Sequence, residues 1–247
     1  MLKVSIITAV FNNCDTVAHA IESVVRQSYR NIELVVVDGL STDGTVQVLA
    51  RYESQISVYV SELDGGMYDA LNKGIGLATG DVIGFLHSDD LLADDEAIAR
   101  AAAQFADASV EAVYGDLVYV RKADPSRIVR AWRAGSFTLI GLARGWMPPH
   151  PTFYARRSVY ERLGKFDTSF RIAADYDCML RFLKAGIRVA YIPHLQVRMR
   201  VGGASNKSLA NIITKSSEDF RALRKNNMGA VVALLCKNLR KLSQFFN

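Results

Sequence analysis

The sequence predicts an α/β protein with a mostly parallel central sheet flanked by helices. Short apolar runs at 4–10, 32–37 and 82–86 alternate with segments whose apolar residues recur at helical spacing. Strands that are apolar along nearly their whole length are typical of parallel sheets buried on both faces. The three runs are followed directly by Phe11-Asn12, Asp38-Gly39 and His87-Ser88-Asp89-Asp90. The ends of parallel strands are where such sheets form a ligand crevice.

The first half divides into regularly alternating elements. Asp15 is expected to cap the first helix, whose apolar face is Val17, Ile21, Val24 and Val25. The predicted strands are 4–10, 32–37, 58–60 and 82–86, and the predicted helices are 17–25, 46–52 and 67–78. The carboxyl ends of these strands should therefore converge at one edge of the sheet.

The second half is less regular. Residues 112–119 and 128–132 are expected to form strands, in an antiparallel arrangement around 122–126. The remaining predictions are helices at 158–163, 176–183 and 206–225, a strand at 189–192, and a last amphipathic helix after Gly229. We expect a main domain over 1–205, made of two halves at 1–110 and 111–205, followed by a basic helical tail at 206–247.

Composition excludes several classes of protein. Half of the 247 residues are hydrophobic, but no uninterrupted apolar run reaches the about 18 residues expected of a spanning helix. The amino terminus enters a strand pattern at once, without the features of a cleavable signal. The three cysteines are far apart, so neither a disulfide framework nor a zinc site is indicated. A cytoplasmic location is the expectation.

The positive charge is concentrated in the tail. Residues 198–247 contain ten Lys or Arg but only two acids, Glu218 and Asp219, which predicts an anionic partner. The last helix carries apolar residues at 3- and 4-residue steps, namely Val232, Leu235, Leu239, Leu242 and Phe246, with Lys237, Arg240 and Lys241 nearby. This helix either docks on protein or lies on the anionic inner face of the cell membrane, through 229–247. The local charge favours the membrane, and we expect no nucleic-acid partner.

Two acidic clusters suggest group-transfer chemistry. The apolar strand ending in Phe85-Leu86-His87-Ser88-Asp89-Asp90 places two adjacent carboxylates where desolvation is costly. Binding of a divalent cation is the simplest way to offset the desolvation of these carboxylates. A later pair, Asp175 and Asp177, is suited to base chemistry.

Six segments, taken in order, resemble family 2 glycosyltransferases of the GT-A fold. They are residues 5–12, 36–45, 64–74, 85–90, 150–153 and 174–181. The likeness is greatest to bacterial enzymes that build O-antigen, colanic acid and similar surface polysaccharides. It implies a Rossmann-like nucleotide-diphospho-sugar transferase fold and an inverting reaction. The catalytic domain, 1–205, would then have a nucleotide-sugar-binding half (1–110) and an acceptor-binding half (111–205). The donor would be a nucleotide-diphosphate sugar, most simply a UDP-sugar, and the acceptor a hydroxyl of a glycan or polyprenyl-linked glycan.

The resemblance also implies the nucleotide-sugar-binding residues. Asp38 would accept a hydrogen bond from the base, although an Asp before Gly also commonly begins a turn. Lys73 would face the phosphates, but its spacing from Asp69 equally suits a surface ion pair. The implied nucleotide-sugar set is Thr8, Phe11, Asn12, Asp38, Asp64, Lys73 and Ser88.

Metal binding and catalysis are assigned in the same way. Asp89 corresponds to the family's last Asp in an Asp-x-Asp pattern and would hold Mn²⁺ or Mg²⁺, whereas His87 replaces the usual first Asp. Asp90 is alternatively a cap of the following turn. Asp175 would be the catalytic base, or the N-cap of its helix.

Further acceptor or diphosphate contacts are expected from the rest of the motifs. The candidates are His87, Asp90, His150, Arg198 and Arg200. His150 is alternatively a packing residue, and the two arginines are alternatively solvated residues of a strand edge.

The sequence lacks the motifs expected of two rival enzyme classes. A sugar-phosphate nucleotidyltransferase would be expected to carry a Gly-rich basic loop after the first strand, and an NAD-dependent oxidoreductase a GxGxxG motif. This chain has Phe11-Asn12-Asn13-Cys14-Asp15 there. A non-catalytic module would bind UDP without releasing it from a UDP-sugar.

Overall fold

The computed structural model describes residues 1–202 and 209–243, which form nine strands and nine helices. The strands are β1 (Val4–Val10), β2 (Ile32–Asp38), β3 (Val58–Ser61), β4 (Val82–Phe85), β5 (Leu91–Leu92), β6 (Ala112–Val120), β7 (Ile128–Trp132), β8 (Tyr154–Arg156) and β9 (Val189–Arg200). The helices are α1 (Val17–Val25), α2 (Thr45–Ala50), α3 (Met67–Leu77), α4 (Ala97–Gln104), α5 (Leu139–Ala143), α6 (Arg157–Leu163), α7 (Ala174–Lys184), α8 (Leu209–Lys225) and α9 (Ala230–Ser243). A 3₁₀ turn covers His150–Thr152.

Parallel pairing organises the first half of the sheet, as predicted. β1 lies between β2 and β4 and is parallel to both, and β2 is parallel to β3. The register aligns Val10 with Asp38 and Ile7 with Phe85. The segments that follow these strands therefore emerge at one edge of the sheet.

The second half of the sheet is mixed. The strand order is β3-β2-β1-β4-β8-β6-β9-β5, with β7 paired to β6. The pairs β4–β8, β6–β8, β6–β7 and β5–β9 are antiparallel, whereas β6 and β9 are parallel. The predicted antiparallel hairpin of 112–119 with 128–132 is confirmed. The predicted strand at 189–192 continues to Arg200, with shifts of register beside Gly115 and Asp116.

Two apolar cores cover the two faces of the sheet. One contains α3 and α7 residues, including Leu71, Ile75 and Phe182, packed on Ile7 and Phe85. The other contains α1 and α4 residues packed on the opposite side of β1 and β4. The predicted cap of α1 is wrong: its N-cap is Thr16, and no side chain caps it.

The two carboxy-terminal helices pack on α7 and are not detached from the body. Asp219 on α8 and Lys237 on α9 form a buried ion pair of 2.8 Å. The Lys237 ammonium also lies 3.4 Å from the ring centroid of Tyr176 on α7. Of the predicted α8, residues 206–208 fall outside the described residues. Among those that are described, no helix combines the length and hydropathy needed to cross a bilayer.

Two glycines of α3 should respond to alanine in opposite ways. A Cβ on Gly74 would overlap the Ile7 side chain, whereas Gly76 is exposed and its nearest such neighbour is the flexible Lys165 ammonium, at 3.3 Å. We expect Gly74→Ala to lower the free energy of unfolding by about 1–3 kcal/mol through overpacking. Gly76→Ala should raise it by about 0.5–1 kcal/mol through helix propensity. Urea denaturation measures both; an equal effect at the two positions would contradict the packing of α3 on β1.

Candidate active site

The predicted site residues of the first half gather where the parallel strands end. Phe11 and Asn12 follow β1, Gly39 follows Asp38 at the end of β2, and residues 87–90 follow β4. The backbone N–H of Leu86 donates to the Ile7 carbonyl and extends the β1–β4 pairing toward this edge. The convergence predicted from the sequence is thus observed.

An exposed aromatic ring and a carboxylate lie close together after β1 and β2. The Phe11 side chain is 63% exposed although it is a large aromatic group. A Cβ on Gly39 would lie 3.4 Å from the Phe11 ring and 2.6 Å from Asp64 Oδ2, so both side chains lie close to this glycine. Asp64 Oδ1 accepts a hydrogen bond of 2.8 Å from the Gly66 N–H. An exposed ring beside a carboxylate suits a planar base with N–H donors.

Other predicted nucleotide-binding residues already have protein partners. Asp38 is fully buried and accepts hydrogen bonds from Ser61 Oγ at 2.6 Å and from the Ser41 N–H at 3.1 Å, which is its turn role. Asn12, at a φ of +48°, accepts from the Thr42 N–H and joins the two loops. Lys73 lies 2.9 Å from Glu62 and 3.7 Å from Asp69, as the ion-pair alternative expects. The Thr8 side chain is buried within β1.

Hydrogen bonds from Asn13 and Arg200 hold residues 87–90 in place. Ser88 Oγ accepts from Asn13 Nδ2 at 2.8 Å, and Asp90 Oδ1 accepts from the Arg200 N–H at 3.0 Å. The Arg200 guanidinium donates to the Asp89 carbonyl at 2.6 Å. Asp90 therefore does not cap a turn. Burial, together with the charge of Asp89, raises the pKa of Asp90 well above its usual value.

The donor set at this loop fits a divalent cation that also binds phosphates. Asp89 is only partly buried, and its neighbour Asp90 has a buried Oδ2 without a hydrogen bond. Over residues 1–202 and 209–243, no group of three or more His, Cys, Asp or Glu side chains is arranged to hold a metal alone. Mg²⁺ in nucleotide enzymes commonly uses one or two carboxylates, with phosphates and water completing its shell. Asp89 meets that requirement.

Two histidines line the space between this loop and the second half. The His87 and His150 rings have centroids 5.8 Å apart, and His150 stacks on Phe85 at 5.5 Å. Burial lowers the pKa of His150 to about 4, so this ring is neutral near pH 7. Burial also lowers the pKa of His87, against the opposing charges of Asp89 and Asp175. His150 is thus a buried residue beside the predicted catalytic groups.

Asp175 lies in the first turn of α7 and is partly exposed. The helix begins at Ala174 with Ala173 as its N-cap, so the prediction of Asp175 as the cap is wrong. Its Oδ1 atom accepts from the Tyr176 N–H at 2.8 Å and lies 3.1 Å from the Tyr68 hydroxyl. Within the described part of the chain, no hydrogen bond engages Oδ2. One carboxylate oxygen is therefore held and the other is available to a ligand.

Arg198 and Arg200 are not residues of a strand edge, because β9 lies between β6 and β5. Arg198 donates weakly to the carbonyls of Ala93 and Pro125, at 3.3 and 3.4 Å. Arg200 is buried and lines a cleft of about 630 Å³ together with Thr16, His19 and Lys122. Both arginines are engaged by backbone carbonyls.

Tyr68 is the residue of this site that sequence reasoning overlooked. It stands within the Gly65-Gly66-Met67-Tyr68-Asp69 segment that carried the resemblance, but its buried hydroxyl reaches Asp175 across 107 residues of sequence. Burial and the charge of Asp175 raise the pKa of Tyr68 well above its usual value, so its hydroxyl stays protonated. A Tyr in the first turn of a helix, directly after a Gly-Gly turn, was the available signal.

Comparison with solved structures identifies the fold. Staphylococcus aureus TarS (residues 1–349, in complex with UDP-GlcNAc) superposes with a TM-score of 0.72 at 18% identity, covering 100% of this chain and 72% of TarS. A mannosyltransferase from Pyrobaculum calidifontis, in complex with GDP-Man and Mn²⁺, gives 0.70 at 21% identity, covering 98% and 71%. The chain has the GT-A fold of nucleotide-diphospho-sugar transferases.

Sequence relatives give the family. An uncharacterized glycosyltransferase of Mycobacterium tuberculosis is 36% identical over 194 residues, which cover 72% of this chain and 68% of the relative. A PGL/p-HBAD biosynthesis glycosyltransferase of Mycobacterium bovis is 30% identical over 208 residues, which cover 82% and 78%. The model of the family described as Glycosyl transferase family 2 matches residues 5–173. With the site geometry above, this match means that the chain is a glycosyltransferase enzyme and belongs to glycosyl transferase family 2.

Proposed function

We propose that this enzyme transfers a sugar, with inversion, from a UDP-sugar to a hydroxyl of a polyprenyl-linked glycan during assembly of a bacterial surface polysaccharide. The observation that carries the proposal is the combination of three features: the exposed Phe11 ring beside Asp64, the Asp89 loop, and an Asp175 whose Oδ2 has no hydrogen bond within the described residues. TarS binds UDP-GlcNAc and the Pyrobaculum mannosyltransferase binds GDP-Man. The exposed Phe11 ring and the Asp64 carboxylate are the groups that would hold the uracil.

The proposed reaction is a single displacement. Oδ2 of Asp175 accepts the proton of the acceptor hydroxyl while that oxygen bonds to the anomeric carbon. The bond from the anomeric carbon to the diphosphate breaks on the opposite face, and UDP departs with the electron pair. Tyr68 and the Tyr176 N–H keep Oδ1 of Asp175 in place. The neutral His150 and His87 border the space that the acceptor would enter.

The cofactor in this proposal is Mn²⁺ or Mg²⁺, held by Asp89 and the phosphates of the donor. When bound, such an ion neutralises the negative charge of the leaving diphosphate. Arg200 supports this arrangement because its hydrogen bond to the Asp89 carbonyl fixes the backbone that carries the carboxylate.

The proposed location is the inner face of the cell membrane. Val231, Val232 and Leu235 are each more than 60% exposed on α9, and the adjoining α5 exposes Leu139 and Ile140. Gly145, after α5, packs against the Ala233 carbonyl, so the two helices are neighbours. Lys237 is buried and takes no part in lipid contact. The predicted contributions of Leu239, Leu242, Phe246, Arg240 and Lys241 concern side chains outside those described.

Replacing Asp175 by asparagine should abolish transfer while sparing donor binding. We expect Asp175→Asn to lower kcat by about 10²–10⁴-fold, because the amide cannot accept the acceptor's proton. The KM for the UDP-sugar should stay within about twofold, since Oδ2 contacts the acceptor. UDP release from a panel of UDP-hexoses, with a polyprenyl-linked glycan as acceptor, measures both. Asp95→Asn, an exposed acid-to-amide change, is the control; a wild-type kcat in Asp175→Asn would refute the base assignment.

The metal proposal is tested by thermal stability. At ten times its Kd, UDP should stabilise the native state by about 1.4 kcal/mol and raise Tm by about 3–6 °C. We expect this shift in the wild type only with Mn²⁺ or Mg²⁺, and its loss with EDTA. Asp89→Asn should lose most of the metal-dependent part. A full shift in that variant, or one equally large in EDTA, would argue against Asp89 as the ligand.

Membrane contact is tested with vesicles of phosphatidylcholine containing phosphatidylglycerol. The protein should co-sediment with them at low salt and less so at high salt, because the attraction is partly electrostatic. The triple change Val231→Gln, Val232→Gln and Leu235→Gln should reduce binding at least about fivefold, since it removes the apolar face. Ile128→Gln alters an exposed apolar residue on β7 and serves as the control. Equal binding by the triple variant would exclude α9 as the contact.

A further inference from the structure

Glu218 on α8 binds the backbone that leads into α7. Its Oε1 atom accepts a hydrogen bond of 2.9 Å from the Arg171 N–H. Its Oε2 atom accepts from the N–H groups of Ile172 and Ala173, at 2.8 and 2.9 Å. Three consecutive backbone donors thus converge on one carboxylate, directly before the helix that carries Asp175. Hydrogen bonds to an ionised acceptor are about twice as strong as neutral ones, and the amino-terminal end of a helix favours negative charge.

The same backbone segment is linked to Asp175 through Tyr68. The Tyr68 hydroxyl lies 2.7 Å from the Ile172 carbonyl and 3.1 Å from Asp175 Oδ1. A hydroxyl has one proton, so these two acceptors share it. The Ile172 carbonyl and Asp175 Oδ1 are therefore linked through one hydroxyl group. Moving residues 171–173 would disturb both contacts.

Neighbouring residues of α8 fix Glu218 against this segment. Arg221 donates to the Ser169 carbonyl at 2.8 Å, and its guanidinium lies 3.8 Å from the centroid of the Phe170 ring. Lys225 pairs with Asp167 at 2.7 Å. Helix α8 therefore also contacts residues 167–170, which directly precede 171–173. Glu218 lies outside residues 5–173, to which the family model extends.

We propose that Glu218 is a positioning residue, which holds residues 171–173 so that Asp175 is presented to the acceptor hydroxyl. The inference rests on the proposed function, since Asp175 is the base only in that reaction. Without the carboxylate, three backbone N–H groups lose their acceptor, and the entrance to α7 is no longer held in one arrangement. The helices beyond the family match would then contribute to the rate of transfer as well as to stability.

Glu218→Gln is the decisive variant, because it keeps the shape of the side chain but turns one acceptor oxygen into an NH₂ donor. We expect kcat to fall about 10- to 100-fold, which is the effect of a misplacement of about 1 Å. The KM for the UDP-sugar should stay within twofold, and UDP should bind with unchanged stoichiometry in calorimetry. A merely structural role would lower that stoichiometry and leave the turnover of each bound site unchanged.

A matched control separates stability from positioning. Lys184 donates to the Asn226 carbonyl at 2.6 Å and joins the far end of α7 to the end of α8. Lys184→Met should lower Tm while kcat stays within twofold of the wild type. A wild-type kcat in Glu218→Gln, or equal losses of kcat in the two variants, would overturn the inference.

Hydrogen exchange distinguishes a local change at residues 171–173 from partial unfolding of the Glu218→Gln variant. The amides of 171–173 should exchange at least tenfold faster in the variant, while those of β1 remain protected. Equal exchange at 171–173 would overturn the inference independently of activity. A wild-type enzyme that releases no UDP from any UDP-sugar would refute the proposed function and this inference together, whereas an active wild type with an unaffected Glu218→Gln variant refutes this inference alone.

Discussion

The parallel pairing of β1 with both β2 and β4 is the constraint on which the rest of the structure depends. Because the three strands run in one direction, the residues after each of them must emerge at the same edge. Phe11, Gly39 and the 87–90 loop meet there although up to about 80 residues of sequence separate them. Side-chain hydrogen bonds then join the loops, as from the Thr42 N–H to Asn12 and from Asn13 to Ser88.

The adjacent carboxylates of Asp89 and Asp90, at that edge, have different environments. Asp90 points into the protein, accepts the backbone N–H of Arg200, and has its pKa raised by burial. Asp89 stays partly exposed, and Arg200 holds its backbone carbonyl instead of its carboxylate. The positive charge of Arg200 therefore organises the loop without forming an ion pair with Asp89. A carboxylate on a held backbone, without an ion pair to Arg200, suits the proposed contact with a metal ion.

The proposed base, Asp175, lies on a helix of the second half that is itself held by later helices. The two acids of the carboxy-terminal segment are both used internally, Glu218 on the entrance to α7 and Asp219 on Lys237. Part of the positive charge of that segment is also neutralised within the protein, because Lys225 pairs with Asp167 and Lys237 with Asp219. Net charge along the sequence therefore overstates what this segment presents to an anionic partner. The exposed apolar residues of α9 provide the stronger case for membrane contact.

Periodicity determined β1 to β4 and α1 to α3, whereas α4 was missed. The ends of β1 were predicted to the residue. The GT-A fold followed from ordered motifs. The strands β5 and β8 were missed, because segments of two and three residues are too short to show a hydrophobic period. They are strands only through their pairing, β5 with β9 and β8 with β4 and β6. Likewise, only the folded chain brings Tyr68 to Asp175 and Glu218 to residues 171–173. Such contacts depend on side-chain direction and packing between distant elements, about which local sequence carries no information.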